Sequence, residues 1–213
     1  MREAWFAWLM EHASRVHEPM VAARKRELFG GLSGDVLEIG VGNGVNLQYL
    51  PQGLRWTGYE PNRVLAAKVK VPLNGTLIVD EYRGQKGSFD AVICSLVLCS
   101  VADPVAVLSG LYGSLAPRGR FVFLEHVGAE QGSPLRRAQN RWLPLWKCCA
   151  GGCHPNRETE RMIASAGFEI ERIDRFHLPF WLAGPHIAGV AVKRQTGGLN
   201  LRGAEVARRP LDA

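Results

Sequence analysis

From residue 35 onward, short apolar runs alternate with stretches whose apolar positions recur every three to four residues. Residues 35–39, 55–59 and 76–79 read as strands; a fourth begins at 91–94 after Phe89-Asp90, and a fifth runs over 120–124 after the turn Pro117-Arg118-Gly119. Between them, 45–50 opens a helix, 62–70 is helical up to Pro72, and 104–115 has a helical period with proline at its start. Such alternation predicts a parallel sheet covered by helices on both faces. The last part breaks the rhythm: a helix over 157–166 is followed by strands at 168–176 and 187–192 with no helix between them. These two strands should pair antiparallel, closing the sheet with a hairpin. The expected class is α/β, with seven strands in one sheet and no internal repeat.

Ahead of this domain, Trp5, Phe6, Leu9 and Met10 fall near helical spacing and are followed by His12, Arg15, His17 and the run Arg24-Lys25-Arg26. Residues 1–32 therefore read as an amphipathic helix, packed as a lid on its own domain or laid on a membrane surface. The longest apolar run, residues 4–10, is far short of the roughly 18–20 residues that span a bilayer. With no secretory signal in view, a cytoplasmic chain is expected, peripheral to a membrane at most.

Composition narrows the classes. The 213 residues are 46% hydrophobic and carry 26 basic against 20 acidic side chains, a net charge of +6, which suits one folded domain and excludes a disordered, collagenous or coiled-coil chain. The excess charge is uneven. From Lys193 to the end, five basic residues (Lys193, Arg194, Arg202, Arg208, Arg209) face only Glu205 and Asp212. Residues 195–213 are expected to be a disordered basic tail, dispensable to activity, and 33–194 the folded domain. A second basic run is Arg136, Arg137, Arg141 and Lys147, but no nucleic-acid module accompanies it, so no nucleic-acid partner is expected. The five cysteines are an odd number and imply no disulfide framework. Cys148, Cys149, Cys153 and His154 cluster in sequence, yet two adjacent cysteines do not make a zinc knuckle, and no metal is expected.

The sharpest local signal is Val36-Leu37-Glu38-Ile39-Gly40-Val41-Gly42-Asn43-Gly44, a strand entering a glycine turn and then a helix. Glycines there permit positive φ and close approach of a ligand, and the helix start presents free N–H groups. A dinucleotide fingerprint would place Gly or Ala where this chain has Val45. Glu60, beside Pro61 and Asn62 at the end of the second strand, can accept hydrogen bonds from both hydroxyls of a ribose, which fits NAD as well as S-adenosylmethionine. After the third strand, Asp80, Glu81 and Tyr82 stand where an adenine edge would lie, Asp80 to accept from the amine and Tyr82 to cover the ring.

The spacing G-x-G-x-G with Glu38 ahead of it resembles the first motif of class I S-adenosylmethionine-dependent methyltransferases, and Phe89 to Val101 matches their fourth-strand motif. The string Cys94 to Val101, Glu125-His126-Val127, Gly152-Cys153 with Arg157-Glu158, and Pro185-His186-Ile187 with Gly189 and Ala191-Val192-Lys193 are more specific. Together they resemble the methyltransferase-like seven family of thiol S-methyltransferases, which act on small apolar alkyl thiols and hydrogen sulfide. The resemblance covers roughly residues 33–194 and implies a Rossmann-like fold with S-adenosylmethionine as cofactor. Two features depart from the family: its mammalian members have a longer hydrophobic N-terminal anchor, and the segment from Asp80 to Phe89 is shorter here. Glu60 also stands in place of the family's aspartate.

Methyl transfer from a sulfonium is an in-line displacement, in which a protein aligns the reacting atoms and excludes water. A thiol is already a few per cent thiolate at neutral pH, so a strong base is not obligatory. His126 is the expected group to take the acceptor proton or orient the acceptor, with Glu125 fixing it; a purely structural pair is the alternative. Ser95, Leu96 and Cys99 should lie where donor and acceptor meet. Trp142 and Trp146, interleaved with Arg137, Arg141 and Lys147, and His186 are the candidates for the acceptor wall. An alternative acceptor is lipidic, a phospholipid amine or quinone precursor, reached by an enzyme held on a membrane surface by its basic amphipathic segments.

Overall fold

The computed structural model describes residues 2–85 and 87–194. The expected basic tail, 195–213, lies outside the described residues. Strands β1 (Asp35–Ile39), β2 (Arg55–Tyr59), β3 (Gly75–Ile78), β4 (Phe89–Ser95), β5 (Leu115–His126), β6 (Phe168–His177) and β7 (Pro185–Lys193) form one sheet. Their spatial order is β3-β2-β1-β4-β5-β7-β6. The first five are parallel, while β7 runs antiparallel to both β5 and β6. The strand order reverses between β1 and β4, so the crevice outside their carboxyl ends is the place where an open α/β sheet takes a ligand.

Helices α1 (Arg2–Phe29), α2 (Arg63–Ala66), α3 (Pro104–Ser114), α4 (Pro134–Cys149) and α5 (Thr159–Ser165) flank the sheet. Two apolar cores result. On one face Val21, Leu28 and Phe29 of α1 meet Val122 and Leu124 of β5; on the other, Leu108 and Leu111 of α3 and Ile163 of α5 meet Phe121 and Phe123. Because side chains alternate along a strand, this pattern sends Glu125 to the α3 face and His126 to the α1 face, which decides their chemistry below.

Three expected helices are shorter than the sequence pattern implies. Residues 45–49 form only a 3-10 turn. The helix after β2 is four residues long, started by Asn62, whose side chain accepts from the N–H groups of Val64 and Leu65; beyond it the chain tightens, the Lys68 N–H reaching the Leu65 carbonyl at 2.9 Å and the Val69 N–H that of Ala66 at 3.1 Å. The helix expected from Arg157 starts at Thr159, because Arg157 is drawn inward to the Leu98 carbonyl.

Helix α1 is 28 residues long and is not apolar along its buried side. His17 and Lys25 are buried there beside Ala7, Val21 and Leu28. Lys25 Nζ donates to Glu18 Oε2 at 2.6 Å, Arg24 pairs with Asp174 at 2.7 Å, and Asn62 Nδ2 donates to the Glu3 carbonyl at 3.1 Å. The bonds to Asp174 and Asn62 fasten α1 across the carboxyl edge of its own domain, whereas Trp5 and Trp8 near its start are exposed. Among the described residues, no helix is long and apolar enough to cross a membrane.

Candidate active site

The glycine turn after β1 is set by two different demands. At Gly40, φ is +63° and a Cβ would lie 2.3 Å from Val97 Cγ2, so the β4 turn leaves no room for a side chain. At Gly42, φ is +62° and a Cβ would meet nothing within 4 Å, so the bare backbone faces open space. The first is a packing constraint; the second leaves a cradle for a ligand. Asn43 and Val45, with Glu11, Ser14, Arg15 and Glu18 of α1, line a cavity of about 280 Å³ beside this turn. Gly44 closes it at φ +83°.

Two buried carboxylates brace the turn. Glu38 lies wholly beneath it, accepting from Asn46 Nδ2 at 2.7 Å and Trp56 Nε1 at 2.9 Å, and burial pushes its carboxyl up. It therefore supports the loop from below, and the group left for a ligand is its neighbour: Asn46 Oδ1 is buried with no hydrogen-bond partner. Glu60 accepts the Gly42 N–H at 2.7 Å and the Asn62 N–H at 2.8 Å, and burial raises it despite both bonds. A carboxylate has about four lone-pair sites, so two remain for hydroxyls. Pro61 is exposed, and the Asn62 side chain is spent on the α2 cap and on Glu3.

At the third-strand edge, Asp80 and Glu81 are exposed, and Asp80 Oδ1 accepts the Glu81 N–H at 2.7 Å. Tyr82 does not stand free to cover a ring: its hydroxyl meets Ser114 Oγ on α3, and its ring lies edge-on to Tyr59 at 5.3 Å.

Beyond β4, the chain makes a strained turn. Ser95 ends the strand and Leu96 takes φ 59°, a left-handed conformation costing a branched side chain about 1–2 kcal/mol. Glu125 holds this turn, accepting the N–H of Val97 at 2.9 Å and of Leu98 at 3.1 Å on one oxygen, with Cys94 Sγ at 3.3 Å. The expected partnership of Glu125 with His126 is thus corrected: adjacent residues of β5 point to opposite faces, and Glu125 is a clamp on the β4 turn.

His126 has a different partner. Its Nε2 lies 3.1 Å from Cys153 Sγ, its Nδ1 is buried without a partner, and Trp146 Nε1 donates to the same sulfur at 3.1 Å. Cys99 completes the group, with its sulfur, that of Cys153 and a His126 nitrogen all within 4.8 Å of one another. The Cys99 thiol, His126 and the Trp146 N–H together hold Cys153 well below the usual thiol range, against the effect of burial. The sequence cluster expected around residues 148–154 is split: Cys148 and Cys149 are exposed, and His154 Nδ1 contacts the Cys99 carbonyl at 3.3 Å.

The remaining acceptor candidates scatter. His186 is buried and engaged, Nε2 to His17 Nε2 at 3.2 Å and Nδ1 to the Gly184 carbonyl at 2.8 Å. Trp142 is 42% exposed, its ring 6.2 Å from that of Trp181. Trp146 and Cys99 of that set join Cys153 beside His126, and the His186 ring lies edge-on to His126 at 6.1 Å.

A family model described as "Methyltransferase domain" matches residues 12–173. The chain belongs to that methyltransferase family. Thiol S-methyltransferase TMT1B of Rattus norvegicus is 35% identical over 212 residues, covering 90% of this chain and 87% of that protein. Thiol S-methyltransferase TMT1A of Homo sapiens is 31% identical over 210 residues, covering 89% and 86%. Among solved structures, the S-adenosylmethionine-dependent methyltransferase of Mesorhizobium loti superposes with a TM-score of 0.58 at 19% identity, covering 80% of this chain and 96% of that one. The [4+2]-cyclase SpnF superposes with a TM-score of 0.65 at 14% identity, covering 82% and 80%. These likenesses show the fold, and a cyclase among them shows how little the fold alone says about the reaction.

This methyltransferase takes S-adenosylmethionine as methyl donor. Its residues fit that cofactor: the open cradle at Gly42, the unpartnered Asn46 Oδ1 and the Glu60 carboxylate lie along one edge. Asn46 and the α1 residues around the cavity carried no signal in the sequence, since their roles depend on where α1 lands. Cys153 follows Gly152 in one of the family strings, but nothing in the sequence links it to His126.

Proposed function

We propose that this enzyme methylates a small thiol, of the class of hydrogen sulfide, methanethiol or a short alkyl thiol. The observation that carries the reading is 31–35% identity, over about 90% of the chain, to proteins named thiol S-methyltransferases.

When bound, S-adenosylmethionine supplies a methyl group on a positively charged sulfur. Glu60 would accept from the ribose hydroxyls, and the Gly42 backbone would lie against the nucleoside. Asn43, Asn46 and the α1 side chains Ser14, Arg15 and Glu18 would receive the amino-acid end: Arg15 suits a carboxylate, Glu18 and Asn46 Oδ1 an ammonium. Helix α1, tied to Asn62 through Glu3 and to Lys68 through Glu11 at 2.5 Å, covers this edge and excludes water, which strengthens every charge interaction beneath it. The strained Leu96 turn, clamped by Glu125 and packed on Gly40 through Val97, carries Cys99 and so sets the Cys99–His126–Cys153 group next to the glycine turn.

The test is direct: purified protein with methyl-labelled S-adenosylmethionine and, separately, sulfide, methanethiol, a longer alkyl thiol, phosphatidylethanolamine and a quinol. Label transferred to the thiols supports the reading, and label found only in the lipids overturns it.

We further propose contact with a membrane surface. Trp5 and Trp8 are exposed and stacked at 5.1 Å, and Phe6 between them abuts Gly151 just beyond α4. Helix α4 exposes Trp142 and Leu145 beside Arg141 and Lys147. Exposed tryptophans with adjacent basic residues suit an anionic lipid interface.

A further inference from the structure

Cys99, His126 and Cys153 reach one buried spot from three segments: the turn after β4, the end of β5 and the loop after α4. Two thiols and an imidazole gathered away from water are an awkward way to fill an apolar core, but they are a good donor set for a borderline-soft divalent ion. The pattern, two sulfurs and one nitrogen, is one that zinc uses in catalytic sites, where three protein ligands leave a fourth position open. With Zn–S near 2.3 Å and Zn–N near 2.0–2.1 Å, tetrahedral donors stand about 3.5–3.8 Å apart. Here the His126–Cys153 edge is 3.1 Å and no edge exceeds 4.8 Å, so the triangle brackets that size.

The surroundings are built to hold these donors still. The His154 N–H donates to the Cys99 carbonyl at 2.8 Å, joining the loop that carries Cys153 to the turn that carries Cys99. Gly151 and Gly152, at φ 60° and 85°, turn the chain back from α4 so that Cys153 faces inward. The Trp146 N–H on Cys153 Sγ is the outer hydrogen bond that steadies a metal thiolate. Arg157, bonded to the Leu98 carbonyl and to His154 at 3.2 Å, places a positive charge beside a centre that would gather negative thiolates.

We propose that Cys99, His126 and Cys153 bind a zinc ion whose open position takes the acceptor thiol. The fourth-ligand part rests on the thiol reading above; the metal site itself does not. On coordination the acceptor releases its S–H proton to solvent, since a zinc-bound thiol is deprotonated outright. Its sulfur then forms a new S–CH3 bond as the sulfonium S–CH3 bond of the donor breaks, giving S-adenosylhomocysteine and a neutral thioether from an alkyl thiol or methanethiol from hydrogen sulfide. His126 then serves as a ligand, and no separate base is required.

The experiment uses the full chain, purified without chelator, loaded with Zn2+ and desalted, then measured for metal by mass spectrometry. A parallel sample is loaded with Co2+ as a visible probe. About one zinc per chain is expected, with the intense visible bands and thiolate charge transfer of tetrahedral Co2+, and methanethiol should shift those bands. Cys99→Ser and His126→Gln should weaken zinc binding more than tenfold, and Trp146→Phe by about 10–100-fold. Cys148→Ser, at an exposed position outside the cluster, should retain full zinc. Less than a tenth of an equivalent of zinc on the wild-type chain, or only the weak spectrum of hydrated Co2+, overturns the site whether or not the variants fold. Tetrahedral bands that methanethiol leaves unmoved overturn the open position. Stoichiometric zinc on a protein that methylates no thiol refutes the thiol reading and not the metal site; full thiol methylation by the chelator-stripped enzyme refutes zinc's part in the reaction and not the thiol reading.

Discussion

The Glu125 carboxylate accepts the Val97 backbone N–H at 2.9 Å and so holds in place the turn by which β4 leaves the sheet. Removing it strands the N–H groups of both Val97 and Leu98 in a dry core. Glu125→Ala should lower stability by about 1–3 kcal/mol per stranded group, each kcal/mol being about 2–4 °C in Tm for a chain of this size. Glu125→Gln keeps an acceptor oxygen in the same place. As burial already favours the neutral carboxyl, it should melt close to wild type. Thermal melts of both variants alongside turnover of Glu125→Gln distinguish this clamp from an acid–base role, in which Gln would melt normally but lose activity.

Gly42 and Gly40 should fail in different ways when given a side chain. Gly42→Ala places its Cβ in the open cradle, so the protein should fold with a backbone penalty of about 1–2 kcal/mol while S-adenosylmethionine binding weakens tenfold or more. Gly40→Ala drives a Cβ to 2.3 Å from Val97, so it should lose stability first. Calorimetric titration alongside melting curves separates the two.

His17 gives the fold an acid limit. Burial holds its imidazole down to about 3, with His186 of β7, Lys25 of α1 and His126 of β5 as its charged or titratable neighbours. An unfolded histidine titrates near 6.5. Above that pH both states are neutral and the contribution is whole; below it only the unfolded chain takes the proton, so stability falls as pH drops. By pH 5 the loss from His17 is about 2 kcal/mol. His17→Phe should flatten the slope of unfolding free energy by about 1.4 kcal/mol per pH unit between pH 5.5 and 4.5. An unchanged slope in denaturant titrations would assign the acid limit elsewhere.

If Trp5 and Trp8 meet a lipid interface, Trp5→Ser with Trp8→Ser should reduce flotation with anionic vesicles at least several-fold and leave the melting temperature near wild type, because both rings are exposed. Flotation equal to wild type would place the contact elsewhere or remove it.

Most of the sheet was legible in order along the chain. The five parallel strands announced themselves as apolar runs punctuated by glycine and proline, and the absent helix between β6 and β7 foretold their antiparallel pairing. Short amphipathic stretches were less readable. Residues 45–49 and 62–70 have helical composition, but Asn46 is tied to Glu38 of β1 and Asn62 and Lys68 to α1, tertiary contacts that local periodicity does not carry. The glycine turn and Glu60 stood out in the chain as a motif, but that Glu38 lies beneath the turn on Asn46 and Trp56, and that Tyr82 packs on Tyr59 and Ser114, was not legible there, since only the fold decides whether a side chain at a strand end looks into the crevice or beneath it.

The chain by itself determined the class, the glycine turn and the family strings, because each is encoded in residues adjacent or regularly spaced along the backbone. Tertiary structure alone decided that Glu125 and His126 part company across the sheet, that α1 folds back over the carboxyl edge of the sheet, and that Cys99, His126 and Cys153 meet. The physical reason is separation: each of the two cysteines lies 27 residues from His126 in sequence, and no local pattern records a contact made by strand alternation, a glycine-turned loop and the crossing of three elements at one end of a sheet.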